Sequence, residues 1–440
     1  MRLRYRLVPF TMLLGACHAA DPALAPAAPD AADRLRSDIA YLADDRLEGR
    51  GTGTAGNDSA AAWLARRDAA LGLRPLLTDT IRPECRTAPA PAGCRTFLQR
   101  FVVRGPELAH AGKPKGVPSQ NVIALIPGRD AALAGEVVVI GAHFDHLGRS
   151  TAGAMDPELG NVIRNGADDN ASGTAAVLEL ARRFVEQPAR RSVLVAHFTG
   201  EELGLLGSQW FVEHAPVATD SISAMVNFDM VGRLRANKLI VYGTGTASEL
   251  PAILADANAG SGLLISSVAD GFGPSDHSSF YAKGVPVLHF FTDLHDDYHR
   301  ASDDVERINA AGEARIVSLA ERVVRSIADR PARLTPLRAS GPAHAMSASS
   351  QSNVYLGTIP DMSAGDVPGL RLTGVRAGSP ADLAGLRAGD VIVVLDGVAV
   401  RDLYTYSGAL YAHQPGDTIA IGYLRAGKPY STTVVLGKRA

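Results

Sequence analysis

The chain has no surplus of charge of either sign: 44 lysines and arginines face 46 aspartates and glutamates, a formal net charge of -2. It also lacks a basic run. No concentrated positive charge is present to neutralise a phosphate backbone, so nucleic acid is not expected as a partner. Past the N-terminal segment no apolar stretch is long enough to span a bilayer, which excludes a membrane-spanning helix from the mature chain. Cysteine is scarce, with three in 440 residues. Cys85 and Cys94 lie close together in a Pro/Ala-rich loop, without the further Cys or His that a zinc knuckle would need. Charged residues make up 20% of the chain and hydrophobic ones 46%, a globular composition. A length of 440 residues calls for two or three folding units.

What is there begins with a targeting segment. Arg2, Arg4 and Arg6 precede a short apolar run over residues 7–16, the layout of an export signal. Leu14-Gly-Ala-Cys17 resembles the lipobox of bacterial lipoproteins. That resemblance implies a signal peptide over 1–17, acylation of Cys17, and a lipid anchor holding the protein on the periplasmic side of the envelope. Plain cleavage near Ala19 or Ala20 is the rival reading. The Ala- and Pro-rich residues 18–32 read as a tether. In an exported protein Cys85 and Cys94 read as a local disulfide, against the alternative of two unpaired thiols.

The next part of the chain alternates. Amphipathic segments at 32–43 and 59–71 predict helices, the second stopping at Gly72 with Pro75 beyond. Between them Gly49-Arg-Gly-Thr-Gly-Thr-Ala-Gly56 is glycine-rich. It lacks the lysine of a phosphate-binding loop and does not follow a strand in the required way. Strands are predicted at 97–103, 121–126, 136–141, 192–198, 224–228, 238–242 and 285–291. Helical patterns at 171–187, 203–213, 247–258, 276–283 and 309–328 fall among them. The Val/Ile run at 136–141 marks a strand buried on both faces. Such alternation predicts an α/β domain over 33–330, a mixed, mostly parallel central sheet flanked by helices, with ligands at the carboxyl ends of the strands.

Five segments place metal-type side chains at or just beyond strand ends: Gly141-Ala-His-Phe-Asp145, the Asn165–Gly173 stretch with Asp168-Asp169, Thr199-Gly-Glu-Glu202, Asn227-Phe-Asp229, and Asp297-Tyr-His299. Any one alone is ordinary. Together they supply nitrogen and carboxylate donors without thiolate, which suits Zn, with Co or Mn as alternatives. In order and character these segments resemble the zinc aminopeptidases of metallopeptidase family twenty-eight, over roughly residues 35–330. The resemblance implies the zinc-exopeptidase fold and two zinc ions. His143 and Asp229 would hold one ion, Glu202 and His299 the other, and Asp169 would bridge both across a cis Asp169–Asn170 peptide. It implies Glu201 as general base. Asp145 would accept the second ring N–H of His143, and Asp303 would orient His299. His146, His197 and His295 receive no ligand role. Ser275-Asp-His-Ser278 resembles a segment lining the family's site, so Asp276 and His277 are candidates for the substrate pocket or for a place behind the ligands, with Phe272 and Tyr298 as further pocket candidates. The substrate is then a peptide with a free N-terminus. Two other activities share the fold: a glutaminyl cyclase with one zinc, and a non-catalytic binding protein. The complete ligand set favours hydrolysis.

Residues 331–352 are Pro-, Ala-, Ser- and Gly-rich without periodicity and read as a linker. Beyond them Gly378-Ser-Pro-Ala-Asp-Leu-Ala-Gly-Leu-Arg-Ala-Gly-Asp-Val391 resembles the PDZ domains of bacterial proteases, over 353–440. That implies a small β-rich domain. Its groove, between the loop at Leu356-Gly357 and a helix at 402–413, would take a peptide or protein ligand by strand addition. A packing module is the alternative, since the loop departs from the usual Gly-Leu-Gly-Phe.

Overall fold

The centre of the molecule is set by three neighbouring strands with no exposed residue: β6 (Val137–His143), β7 (Ser192–Phe198) and β8 (Ile222–Phe228). Runs such as Val-Val-Val-Ile-Gly-Ala-His have no polar face to give to water, so both faces must be covered. The computed structural model describes residues 30–337 and 354–438, apart from 88, 90, 105–114, 152, 361–368, 376–377, 401–404, 407–408 and 411. The signal segment with Cys17, most of the tether, most of the linker and half of the 402–413 segment lie outside them.

Five earlier strands lead to that centre: β1 (Arg74–Pro75), β2 (Leu77–Thr78), β3 (Arg95–Thr96), β4 (Leu98–Val103) and β5 (Val117–Ile126). Three later ones complete the domain: β9 (Lys238–Tyr242), β10 (Leu264–Val268) and β11 (Val287–Phe291). The main sheet has nine strands in the order β1-β5-β7-β6-β8-β11-β9-β10, with β4 also on β5. Strands β7, β6, β8 and β11 run parallel. Antiparallel pairings flank them, β5 with β7 and β9 with β11. The sheet is mixed around a parallel core, as the alternation predicts. The predicted strand at 121–126 begins four residues earlier, and β1 and β10 have no counterpart in the sequence reading. Both are edge strands, and β10 is largely exposed, so neither carries a burial pattern.

Side chains alternate between the faces of the sheet. Val138, Ile140 and Ala142 point into one core with Val193 and Val195. That core is closed by α1 (Ala31–Leu42), α2 (Ala55–Ala70), α3 (Gly173–Glu186), α5 (Leu250–Asn258) and α7 (Ala310–Ala328). Val137, Val139, Leu194 and Phe198 point the other way, onto Phe211 of α4 (Leu206–Glu213) and Phe280 of α6 (His277–Ala282). Each such aliphatic or aromatic side chain stabilises the fold by about 1.5–3 kcal/mol when fully buried. Helix starts are capped by side chains: Asp30 accepts the N–H of Asp33, Thr54 that of Asn57, and Asn309 that of Gly312. Cys85 and Cys94 form a disulfide.

The C-terminal strands form their own core around Leu372, Ile392, Leu395, Ile421 and Val434. β12 (Val354–Tyr355) pairs with β19 (Gly437–Lys438), bringing the ends of this region together. β13 (Thr358–Pro360), β14 (Leu370–Val375), β15 (Val391–Leu395), β17 (Thr418–Arg425) and β18 (Lys428–Val435) follow one another in an antiparallel sheet, with β16 (Val398–Ala399) on β15. Ala426-Gly427 makes the two-residue turn between β17 and β18, both with positive φ, the geometry that twist-matched hairpins use. Ser379 caps the short helix α8 (Pro380–Leu383).

Candidate active site

The four parallel strands all end on one side of the sheet, and the five metal-type segments meet there. β6 ends on His143, and β8 is followed at once by Asp229. Glu201 and Glu202 lie in the loop after β7, and His299 in the loop after β11. Asp169 comes from the turn before α3. Two features shape that turn. Gly166 has φ +58, and a Cβ there would lie 2.0 Å from the Asp169 oxygen. Gly173 begins α3 so close to β8 that a Cβ would meet Phe228 O at 2.3 Å. The Asp169–Asn170 peptide is cis. Asn170 accepts the Gly173 N–H through Oδ1 and donates to Phe228 O, tying the turn to the end of β8.

Asp169 faces both ways. Its Oδ1 is 3.4 Å from His143 Nε2, and its Oδ2 is 3.0 Å from His299 Nε2. On the first side His143 Nε2 also lies 3.3 Å from Asp229 Oδ2 and 3.9 Å from Glu201 Oε2. On the second, His299 Nε2 is 3.2 Å from Glu202 Oε2. Two donor groups result. His143, Glu201 and Asp229 bring ligand-type atoms within 4.8 Å of one another, and so do His146, Asp169 and Glu202.

The tautomers follow from the partners. His143 Nδ1 donates to the Asp145 main-chain oxygen at 3.1 Å, and His299 Nδ1 to Gly153 O at 2.9 Å. A carbonyl only accepts, so each Nδ1 carries a proton and each Nε2 faces the carboxylates of the site. Here the geometry departs from the sequence reading. The Asp145 carboxylate lies 3.7 Å from His143 Nδ1, farther than its own main-chain oxygen, and takes the Thr52 hydroxyl at 2.7 Å and the Glu201 N–H at 3.3 Å. Asp303 does not reach His299. It accepts the N–H groups of Asp168 and Asp169, each at 3.0 Å on Oδ2.

Sequence reasoning left His146 without a role, yet its Nδ1 sits 2.7 Å from Glu202 Oε1. Its spacing from His143, three residues on past a strand end, was the available signal. His295 bonds Asp168 at 3.1 Å. His197 is buried with Asp68 at 3.7 Å and its ring has no hydrogen bond among the described residues. The glycine-rich loop at 49–56 wraps the back of the site: Thr52 holds Asp145, and the main chain of Gly51 bridges His146. Arg50, fully buried, donates to the carbonyls of Leu42, Phe144, Asn165 and Gly166. Burial lowers its pKa to about 10, offset in part by Asp145 and Asp169, so it is a permanent cation behind the carboxylates.

Of the pocket candidates, Tyr298 stacks on the His299 ring at 3.8 Å. Phe272 packs edge-on to Tyr281. Asp276 and His277 are fully buried, His277 stacking on His289 at 4.3 Å. Burial raises Asp276 to about 7, opposed by His143.

The electrostatics separate two adjacent carboxylates. Burial pushes Glu201 well above the usual carboxylate range, with only His143 pulling it back among Glu202, Asp229 and Asp276. Burial works the same way on Glu202, but His299 and His146 overcome it and hold that carboxyl well below its usual value. His143 Nε2, His146 Nε2 and Asp229 Oδ1 are buried without a hydrogen-bond partner among the described residues. Buried polar atoms are nearly always paired, and imidazole nitrogens aimed at carboxylate oxygens are a donor set that fits a divalent ion.

Fold and site together define a class: an α/β exopeptidase-type fold with histidines and carboxylates converging at the ends of its parallel strands. Residues 121–324 match Peptidase family M28, and residues 348–436 match the PDZ domain. The chain is thus similar to that peptidase family over 121–324 and to the PDZ domain over 348–436. It is 30% identical over 220 residues to leupeptin-inactivating enzyme 1 of Streptomyces exfoliatus, covering 49% of this chain and 42% of that protein. It is 31% identical over 185 residues to leucine aminopeptidase 1 of Arthroderma otae, covering 38% and 45%. The chain thus spans about half the length of the curated relatives it matches. Among solved structures, a zinc aminopeptidase from Bacillus subtilis superposes with TM-score 0.52 at 19% identity, over 69% of this chain and 97% of that one. Glutaminyl cyclase from Porphyromonas gingivalis superposes with TM-score 0.53 at 18% identity, over 67% and 98%. These likenesses establish the fold. Among the described residues no helix is long and apolar enough to cross a membrane.

Proposed function

We propose that the protein is a zinc aminopeptidase that removes N-terminal residues from peptides, using two metal ions and Glu201 as general base. The observation that carries this reading is the orientation of Asp169, one oxygen toward His143 and the other toward His299. His143 and Asp229 would hold one ion, Glu202 and His299 the other, and Asp169 would be shared. When bound, such a pair supplies Lewis acidity, making water more acidic and polarising the peptide carbonyl. Glu201 takes a proton from the attacking water as its oxygen bonds to the carbonyl carbon. It then passes that proton to the leaving nitrogen as the C–N bond breaks. Burial raises the Glu201 carboxyl, the direction that suits a group which takes a proton and gives it back. Asp145, taking the Glu201 N–H, holds the base in place. The carboxylates around the site attract a protonated N-terminus, which favours an exopeptidase.

Export follows the same line of inference. The Cys85–Cys94 disulfide supports an oxidising compartment, with Cys17 as the site of lipidation. The PDZ domain would take a peptide or protein segment as an added strand. The boundaries proposed are 33–330 for the peptidase domain and 353–440 for the PDZ domain.

The test is hydrolysis of a panel of aminoacyl-amide fluorogenic substrates, with elemental analysis of the same sample and a glutaminyl-peptide cyclisation assay beside it. Close to two zinc per chain with chelator-sensitive amine release is the expected result. One zinc with cyclisation alone would replace the reading by a cyclase, and no metal with no turnover would leave the fold without the mechanism.

A further inference from the structure

The two halves of the site are built differently. His143 and Asp229 sit at the ends of β6 and β8, locked in the register of the sheet. His299 sits in a loop, and its main chain has φ +55, a region that side-chain-bearing residues seldom occupy without outside support. That support comes from the segment 147–165, between β6 and α3. Gly153 O accepts the His299 ring N–H at 2.9 Å, and the Met155 N–H donates to His299 O at 2.9 Å. Asp156 Oδ2 accepts the Ala301 N–H at 2.8 Å. Three hydrogen bonds from three neighbouring positions thus set the ring and the backbone of one candidate ligand.

The segment is itself organised by one buried cation. Arg164 has no exposed surface. Its Nε donates to Asp156 Oδ1 at 2.7 Å and its Nη2 to Asp156 O at 2.9 Å. Its Nη1 reaches Ser150 O at 3.1 Å and Gly160 O at 3.3 Å. Its own N–H closes the base of the segment on Gly148 O at 2.9 Å. The planar guanidinium fork can serve several acceptors at fixed angles, which an ammonium cannot. Asp156 therefore has Arg164 on one oxygen and the chain just past His299 on the other.

We infer that Arg164 and Asp156 are positioning residues for His299, and that they set the Glu202/His299 half of the metal site independently of the His143/Asp229 half. The inference rests on the two-ion reading above. It deepens that reading by making one half a loop-built site that loosens first. The Arg164–Asp156 pair touches neither ion nor substrate; it acts through the Nδ1 bond and the backbone of His299. Outer partners of this kind typically change metal affinity by about 10- to 100-fold.

The experiment is zinc competition against a chromophoric chelator on the full chain, for the wild type, Arg164→Met, Asp156→Asn and His299→Ala, with thermal unfolding in excess zinc as the check on folding. Asp156→Asn is nearly isosteric and carries the test if Arg164→Met does not fold. The expected result is two equivalents in the wild type. In the variants one equivalent keeps its affinity and the other weakens by about 10- to 100-fold, in the pattern of His299→Ala. Equal weakening of both equivalents would mean a general structural role and would overturn the inference, as would no change in either. Fewer than two equivalents in the wild type would instead overturn the two-ion reading, and the inference with it.

Discussion

Asp303 and Asp169 are joined by a hydrogen bond from the Asp169 N–H to the Asp303 carboxylate at 3.0 Å, although 134 residues separate them in sequence. The same carboxylate takes the Asp168 N–H. The turn that presents Asp169 to both histidines is thus held from below by a buried acid. Hydrogen bonds to a charged group contribute roughly 1.5–3 kcal/mol. Asp303→Ala is expected to destabilise the protein by about that amount and to weaken zinc binding about 10- to 100-fold, checked by urea unfolding and zinc titration.

Glu201→Gln keeps the size of the side chain and removes its basicity. Turnover of an aminoacyl-amide is expected to fall by about 10²–10⁴-fold with zinc content unchanged. Unaltered turnover would remove Glu201 from the role of base.

Gly173 has ordinary helical angles, φ -60 and ψ -40, where alanine normally stabilises a helix by about 1 kcal/mol. Space reverses the sign here. The added Cβ would lie 2.3 Å from both Phe228 O and Asn170 Oδ1, so Gly173→Ala is expected to cost about 1–3 kcal/mol. Differential scanning calorimetry of the two proteins would show it as a fall in Tm.

Glu179 on α3 accepts from Arg34, Arg182 and Arg183. Burial works against its charge, but the three arginines overcome it and lower its pKa to about 2. A carboxylate lowered on folding adds stability that is present above the unfolded value, 4.5, and is lost as pH falls toward 2. The Tm difference between the wild type and Glu179→Gln is therefore expected to be full at pH 6 and to shrink steadily from about pH 4.5 downward. A difference that stays constant with pH would refute the assignment.

The chain announces the central sheet because burial on both faces leaves an unmistakable composition. Val137–His143 and Ser192–Phe198 are apolar almost throughout, and a polar residue directly after such a strand stands out. Asp229 and the Glu201-Glu202 pair were visible in this way, and the resemblance to a peptidase family joined them to Asp169 and His299. Edge strands such as Leu264–Val268 were not visible, since a strand half in water has no such signature.

The sequence by itself determined which elements are buried, where they end and which side chains stand at those ends, because side-chain hydrophobicity and spacing are local properties. Only the tertiary structure decided the partners. That His146 meets Glu202, that Asp303 holds Asp169 rather than His299, that Thr52 takes the Asp145 carboxylate, and that Arg164 braces His299 through Asp156 all depend on where separate loops come to rest. A hydrogen bond depends on distances and angles set by the whole packed chain, and nothing in the local sequence encodes them.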